Sequence, residues 1–414
     1  MRKLLVVLMV VAFAATAFAA DVKLSGYMEV KGIYLENAGV DKKSLGNDAW
    51  WEQDGNVQAK FIVDKGTAFT VRGDFRDGTW GTPGMVAKSS IATGTTDDEQ
   101  GFTIQRAFLE HDFGKAGLLS AGLMATGGWG TAFGNNVEGN YRVKLAVPVA
   151  TGKLTFQTTK NAEYAKQYED SEKDDNDGYG VDFVGKSGAF TYGANLTYGN
   201  NSSTVRPGVG GSTSTKGDSD GTQTTKLELM LKGDLGMFGF ESEFAYADVS
   251  TDVANAKDYN LFGAYVNGFA KLGKTTAGLA FVYGSVDKDT GNAYQYADDF
   301  DTTFIVDELG GVTGSDDLQG FTTFKLYADY AHSDALTLGA ALAYAFSNYD
   351  DDKQPNFADI NLYELDVYAS YQINKALNYT VKAAYLQVNE IGSGAAQYDA
   401  DPVYYASHTL SVAF

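Results

Sequence analysis

Residues 226–233 read "KLELMLKG" and residues 238–246 read "FGFESEFAY". In the first stretch Leu227, Leu229 and Leu231 share one parity, and Lys226, Glu228 and Lys232 take the other. In the second, Phe238, Phe240, Phe244 and Tyr246 oppose Glu241 and Glu243. Successive side chains on a β-strand point to opposite faces, so each stretch has an apolar side and a charged side. Only "DLGM" separates them, room for little more than a tight turn. The pair reads as an antiparallel hairpin with one dry and one wet face.

The same rhythm runs through the rest of the chain. It recurs in "VQAKFIV" (57–63), "AFTVRGDFR" (68–76) and "YRVKLAV" (141–147). Near the end Leu365, Val367, Ala369 and Tyr371 oppose Glu364, Asp366, Tyr368 and Ser370. A soluble β-sandwich alternates in this way too, but here the connections are sorted by length. Tight turns are expected near 65–66, 114–115, 151–152, 186–187, 234–235, 272–273, 333–334 and 374–375. Long polar loops fall between them, as at 78–101, 162–177, 200–224 and 287–318. Short turns at one end and long loops at the other are the pattern of a transmembrane antiparallel β-barrel. Pro83, Pro207, Pro355 and Pro402 fall in loops and Pro148 at a strand end, as ladder hydrogen bonding requires. Eight hairpins plus a first and a last strand make about 18 strands, with 16 as the alternative. One stretch, "FTIQRAFLEHDF" (102–113), fits poorly. Placing Arg106 and Glu110 inside also places Phe102, Ile104 and Phe108 inside.

Composition narrows the function classes. The chain has 414 residues, 48 Gly, 26 Tyr, 25 Phe, 5 Pro and no Cys. A formal charge of −21 argues against nucleic acid, whose phosphates need a basic surface. Arg2 and Lys3, the apolar run "LLVVLMVVAFAA" and the small residues Ala17 and Ala19 predict a signal peptide over 1–19. Residues 20–414 then form one barrel domain.

Energy assigns the faces. An Arg or Lys on the lipid face at mid-membrane costs roughly 2–4 kcal/mol, so the charged parity must point inward. A barrel of 16 to 18 strands is too wide for side chains to fill and holds water. Arg72, Arg76, Arg106, Arg142 and Lys144 are expected as a basic wall of that lumen. Glu241, Glu243, Glu364 and Asp366 are expected as an acidic wall roughly opposite.

The early "ADVKLSGYMEVKG", the late "YELDVYASYQINKALNYTVKAAYL" and the terminal "SVAF" resemble the Gram-negative outer-membrane porin superfamily. The resemblance implies a channel in the cell outer membrane for passive diffusion of small hydrophilic solutes and ions, without cofactor or metal. It also implies a homotrimer surrounded by outer-membrane lipid. Leu410, Val412 and Phe414 would be the signal read by the barrel-assembly machinery. The alternatives are a channel selective for a sugar or an anion, or a barrel that scaffolds a partner protein at the cell surface. A sugar channel should show inward aromatic side chains, for which Tyr27, Tyr327 and Tyr368 are candidates.

Other signals have plainer readings. "GVDFVGKS" (180–187) has the spacing of a phosphate-binding loop, but strand patterns flank it on both sides, where a helix should follow. Asp175, Asp177, Asp218 and Asp220 lack the closing Glu of a calcium loop. Loose divalent binding at 350–352 remains open. His111 and His332 fall at the short-turn side and His408 takes the lipid parity, so none suits a rim hydrolase, and no enzyme is expected. Trp50, Trp51, Trp80 and Trp129 are expected as interface anchors.

Overall fold

The computed structural model describes residues 21–37, 47–75, 78–80, 102–125, 129–134, 139–162, 176–202, 221–252, 256–297, 300, 302–306, 318–350, 357–389 and 401–414. The expected signal peptide, Arg76, and most of the acidic loops lie outside them. Every strand pairs antiparallel with its sequence neighbours. The first five are β1 (Asp21–Glu36), β2 (Asn47–Asp64), β3 (Thr67–Phe75), β4 (Phe102–Asp112) and β5 (Leu118–Ala125). A short piece, Gly78–Thr79, prolongs β3 along β2. Next come β6 (Gly139–Val149), β7 (Gly152–Ala162), β8 (Asn176–Ser187), β9 (Phe190–Ser202) and β10 (Gly221–Asp234). The series continues with β11 (Phe238–Thr251), β12 (Tyr259–Leu272), β13 (Thr275–Gly284) and β14 (Phe321–Ala331). It ends with β15 (Leu336–Ser347), β16 (Asn361–Gln372), β17 (Leu377–Asn389) and β18 (Val403–Ala413). β18 returns to β1, from Tyr404↔Glu36 to Ala413↔Tyr27, and closes an 18-strand barrel.

Burial is inside-out. Leu229 is 48 % exposed while its neighbour Glu228 is 3 % exposed. Leu365, 48 % exposed, sits between Glu364 and Asp366, at 0 % and 2 %. A water-soluble sandwich would invert these values. Lipid rewards them, and closure leaves no strand edge unpaired in it. The register places Lys60, Arg72, Arg106, Arg142 and Lys144 on the inner face. The turns at 65–66, 113–117 and 373–376 are short, and 285–320 is the longest loop.

The poorly fitting fourth strand is resolved by a β-bulge. Arg72 pairs with Arg106, but Gly73 pairs with Ile104, so Gln105 is an extra residue. One added residue reverses parity. Ile104 therefore faces lipid, 50 % exposed, while Arg106, Phe108 and Glu110 keep the inner face. The expectation that Ile104 shares that inner face is thus corrected, and the side chain of Phe102 lies outside the described residues.

The hydrophobic core lies within the barrel, between its wall and chain folded inward. Ile305, Val306, Leu318 and Phe321 pack on inward Ile33, Leu362, Leu386 and Val403. Phe133, Tyr294, Tyr296 and Phe300 pack on inward Ala245, Leu261, Tyr265 and Val282. Residues 294–297, 300, 302–306 and 318 thus line the inner wall from β11 round to β1.

Candidate functional site in the barrel lumen

The basic wall is built on β2 to β6. Arg72 and Arg106 stand directly opposite each other across the β3–β4 ladder. Asp74 bridges Arg72 at 3.2 Å, and Glu110 bridges Lys60 at 2.6 Å. β5 places Ser120 and Gly122 inward beside Lys144 and Arg142, which leaves room for the larger cations. Arg142 is buried and donates from Nε to the Met124 carbonyl at 3.3 Å.

The acids expected to face them do something more specific. Glu243 accepts the Thr131 N–H at 2.5 Å and the Thr131 hydroxyl at 2.9 Å. It thereby holds the segment 129–134 inside the barrel, with Phe133 fully buried in an aromatic cluster. Glu364 accepts three backbone N–H groups, from Phe304 (2.7 Å), Ile305 (2.6 Å) and Val306 (3.3 Å). It tethers the segment 302–306. Both carboxylates are fully buried, so they anchor inward chain. Glu241, half-buried, accepts a hydrogen bond from Tyr265 at 2.7 Å. Asp366 is 2 % exposed and shares a side-chain hydrogen bond with the Glu364 carboxyl two residues before it. Burial pushes the loop phenol of Tyr294 up to about 12, against the pull of the Lys226 ammonium, so it stays neutral.

A cavity of about 320 Å³ lies between these tethered segments and the wall formed by β12 to β16. Phe300, Thr302 and Phe304 contribute from the loop; Tyr265, Tyr327 and Tyr368 contribute from the wall. Tyr327 donates to Asn267 at 3.0 Å and Tyr368 to Asp329 at 2.6 Å. Their rings lie over Gly278 and Gly339, where any Cβ would collide with them. Tyr27, the third expected tyrosine, is on β1 and donates to Asp54, away from the cavity.

The remaining expected residues fall as follows. Trp51 and Trp80 stack on the outer face at 5.5 Å, beside His408. Trp50 and Trp129 correct the anchor expectation. Trp50 pairs with inward Ile33, and Trp129, 8 % exposed, donates towards the Phe183 carbonyl at 3.4 Å. His111 pairs with Thr67 at 2.8 Å. Residues 180–187 run straight into the β8–β9 hairpin with no helix. Among the described residues, no cluster of three or more His, Asp or Glu could hold a metal, and Asp351 and Asp352 of the run 350–352 lie outside those residues. Leu410 and Val412 lie in β18, and Phe414 exchanges two backbone hydrogen bonds with Gly26, both 3.0 Å.

Thr131, Phe133 and Phe304 were missed as site residues. One signal was present. A solvated loop has no use for Tyr294, Tyr296, Phe300, Phe304, Ile305 and Val306, so their density marks chain that folds onto something.

No protein-family model matches the sequence, and no curated protein matches it. Solved structures do match in fold. The outer membrane protein OpdK of Pseudomonas aeruginosa superposes with a TM-score of 0.57 at 11% identity, over 95% of this chain and 98% of that one. OccK9 (OpdG) of Pseudomonas aeruginosa superposes with 0.57 at 13% identity, over 95% and 99%. This chain is a closed transmembrane β-barrel of the outer-membrane porin fold.

Proposed function

We propose that the protein is an outer-membrane channel through which small hydrophilic solutes and ions diffuse passively. The observation that carries this reading is the inside-out charge pattern. Charged side chains line the inner face of a closed barrel whose outer face is apolar, and a charged interior of this width holds water. The basic wall and the acids of the other walls set up a field across that interior. Residues 129–134 and 302–306 narrow it.

Assembly as a homotrimer, and recognition of Leu410, Val412 and Phe414 by the barrel-assembly machinery, are part of the same proposal. So is removal of residues 1–19 on export. A solute-selective channel is the second reading, favoured by the aromatic cavity on the β12–β16 wall. The test is reconstitution of the purified barrel in a planar bilayer. Stepwise, voltage-independent conductance at low voltage is expected. A folded barrel that inserts but passes no current would refute the channel and favour a scaffold for a partner.

A further inference from the structure

The wall under the loop 285–320 is corrugated. β13 presents Gly278 and Ala280 inward, and β15 presents Gly339, Ala341 and Ala343. The strands between and beside them present large residues, among them Tyr265, Lys325, Tyr327 and Tyr368. At one end the tyrosine rings fill the furrows over the two glycines. One step further along, the alanines leave the furrows open, and Phe300 and Phe304 roof them. The cavity is therefore built into the strand order.

Its polar groups are incompletely used. The buried hydroxyl of Thr302 is unpartnered, and Asp366, almost wholly buried, is faced by the Glu364 carboxyl, which can satisfy only one of its two oxygens. A buried carboxylate oxygen left without a donor is costly. Around these groups stand aromatic edges and faces. Tyr265 and Phe300 meet edge-on at 5.1 Å, and Phe304 and Tyr368 at 6.5 Å. Lys382 lies over the Phe304 ring at 4.4 Å.

Ligand charge can be decided from this set. A cation would be drawn to Asp366 but would meet Lys325 and Lys382, the two ammonium groups whose charges act on it. An anion would be drawn to Lys325 but would meet Asp366 and Asp329. A neutral ring bearing several hydroxyls meets no like charge. Its O–H groups donate to Asp366, its oxygens accept from Lys325 and Thr302, and its C–H face lies on the aromatic rings. Pockets of small ligands have this make-up, with apolar walls and a few convergent polar groups.

We propose that this cavity is a binding site for a neutral polyhydroxylated ring of monosaccharide size. The inference deepens the channel reading and rests on it for the ligand's route to the site. The test uses the folded full-length barrel in detergent, with D-glucose as probe, measured by calorimetry and by saturation-transfer NMR. Glycine and benzoate serve as zwitterionic and anionic probes. Saturable glucose binding is expected. Asp366→Ala should weaken it about tenfold or more, the loss expected of one charged hydrogen-bonding group. Ala341→Trp, which fills the furrow and keeps every polar group, should weaken it comparably and decides the matter if Asp366→Ala fails to fold. Absent glucose binding, tighter binding of glycine or benzoate, or binding that Ala341→Trp leaves unchanged would overturn the proposal. Conductance without glucose binding would sink this site and leave the channel standing. Glucose binding without conductance would do the reverse.

Discussion

Glu364 shows what a single side chain can do that its sequence position does not announce. By parity it is one more inward carboxylate, like Asp366 two residues on. In the fold it collects the N–H groups of Phe304, Ile305 and Val306, about sixty residues earlier in the chain. Hydrogen bonds to a charged group are worth roughly 1.5–3 kcal/mol each, so one residue does much to hold the loop inside. Glu364→Ala should leave the barrel folded, because the strand ladder is untouched, but should free residues 302–306. Single-channel recording should show larger and noisier conductance, with Glu364→Gln intermediate because its amide oxygen still accepts. Conductance identical to the parent in both variants would mean that the tether is not needed.

At the scale of the strand, Gln105 matters by being counted. Its neighbours on either side obey opposite parities, and the bulge lets Ile104 face lipid while Arg106 faces the lumen. Deleting Gln105 should only remove the bulge, because Ile104 and Arg106 then alternate regularly on the faces they already hold. Deleting Ala107 instead makes the inward Arg106 and Phe108 adjacent and forces one half of β4 to the wrong face. Turning Arg106 to lipid would cost roughly 2–4 kcal/mol. The Ala107 deletion is expected to lower the heat-modifiable folded fraction and the urea midpoint in liposomes, whereas the Gln105 deletion should fold much like the parent. If the Ala107 deletion folds as well as the parent, parity is not set there. Trp50 and Trp51 make the same point, for adjacent residues of one type point to opposite sides of the wall.

The whole barrel is lopsided. Arg72, Arg106, Arg142 and Lys144 occupy β3 to β6, whereas residues 294–297, 300, 302–306 and 318 line the wall from β11 to β1. Solute crossing the lumen would pass between a basic wall and an aromatic, acid-bearing one. Replacing Arg72, Arg106 and Arg142 together by Gln should leave folding intact and shift the reversal potential in a salt gradient towards cations. The shift should grow as salt falls, since charges are screened over about 10 Å at 0.1 M but about 3 Å at 1 M. An unmoved reversal potential would show that these arginines do not line the conducting path.

Much of this architecture was legible in the chain because it is local. Alternation with a period of two, short turns against long loops, and the cost of charge in lipid assign the strands and their faces without knowledge of contacts. Those rules place Arg72, Arg142 and Glu364 on the inner face from sequence alone. They say nothing of what lies in front of an inward side chain, because that depends on groups far away in sequence. Only the tertiary structure put Thr131 on Glu243, folded Phe304 and Ile305 beneath the rim, and left a cavity where Ala280 and Ala341 line up on separate strands. Parity is a property of one strand; a lumen is shaped by everything that closes around it and by the loops that return to fill it.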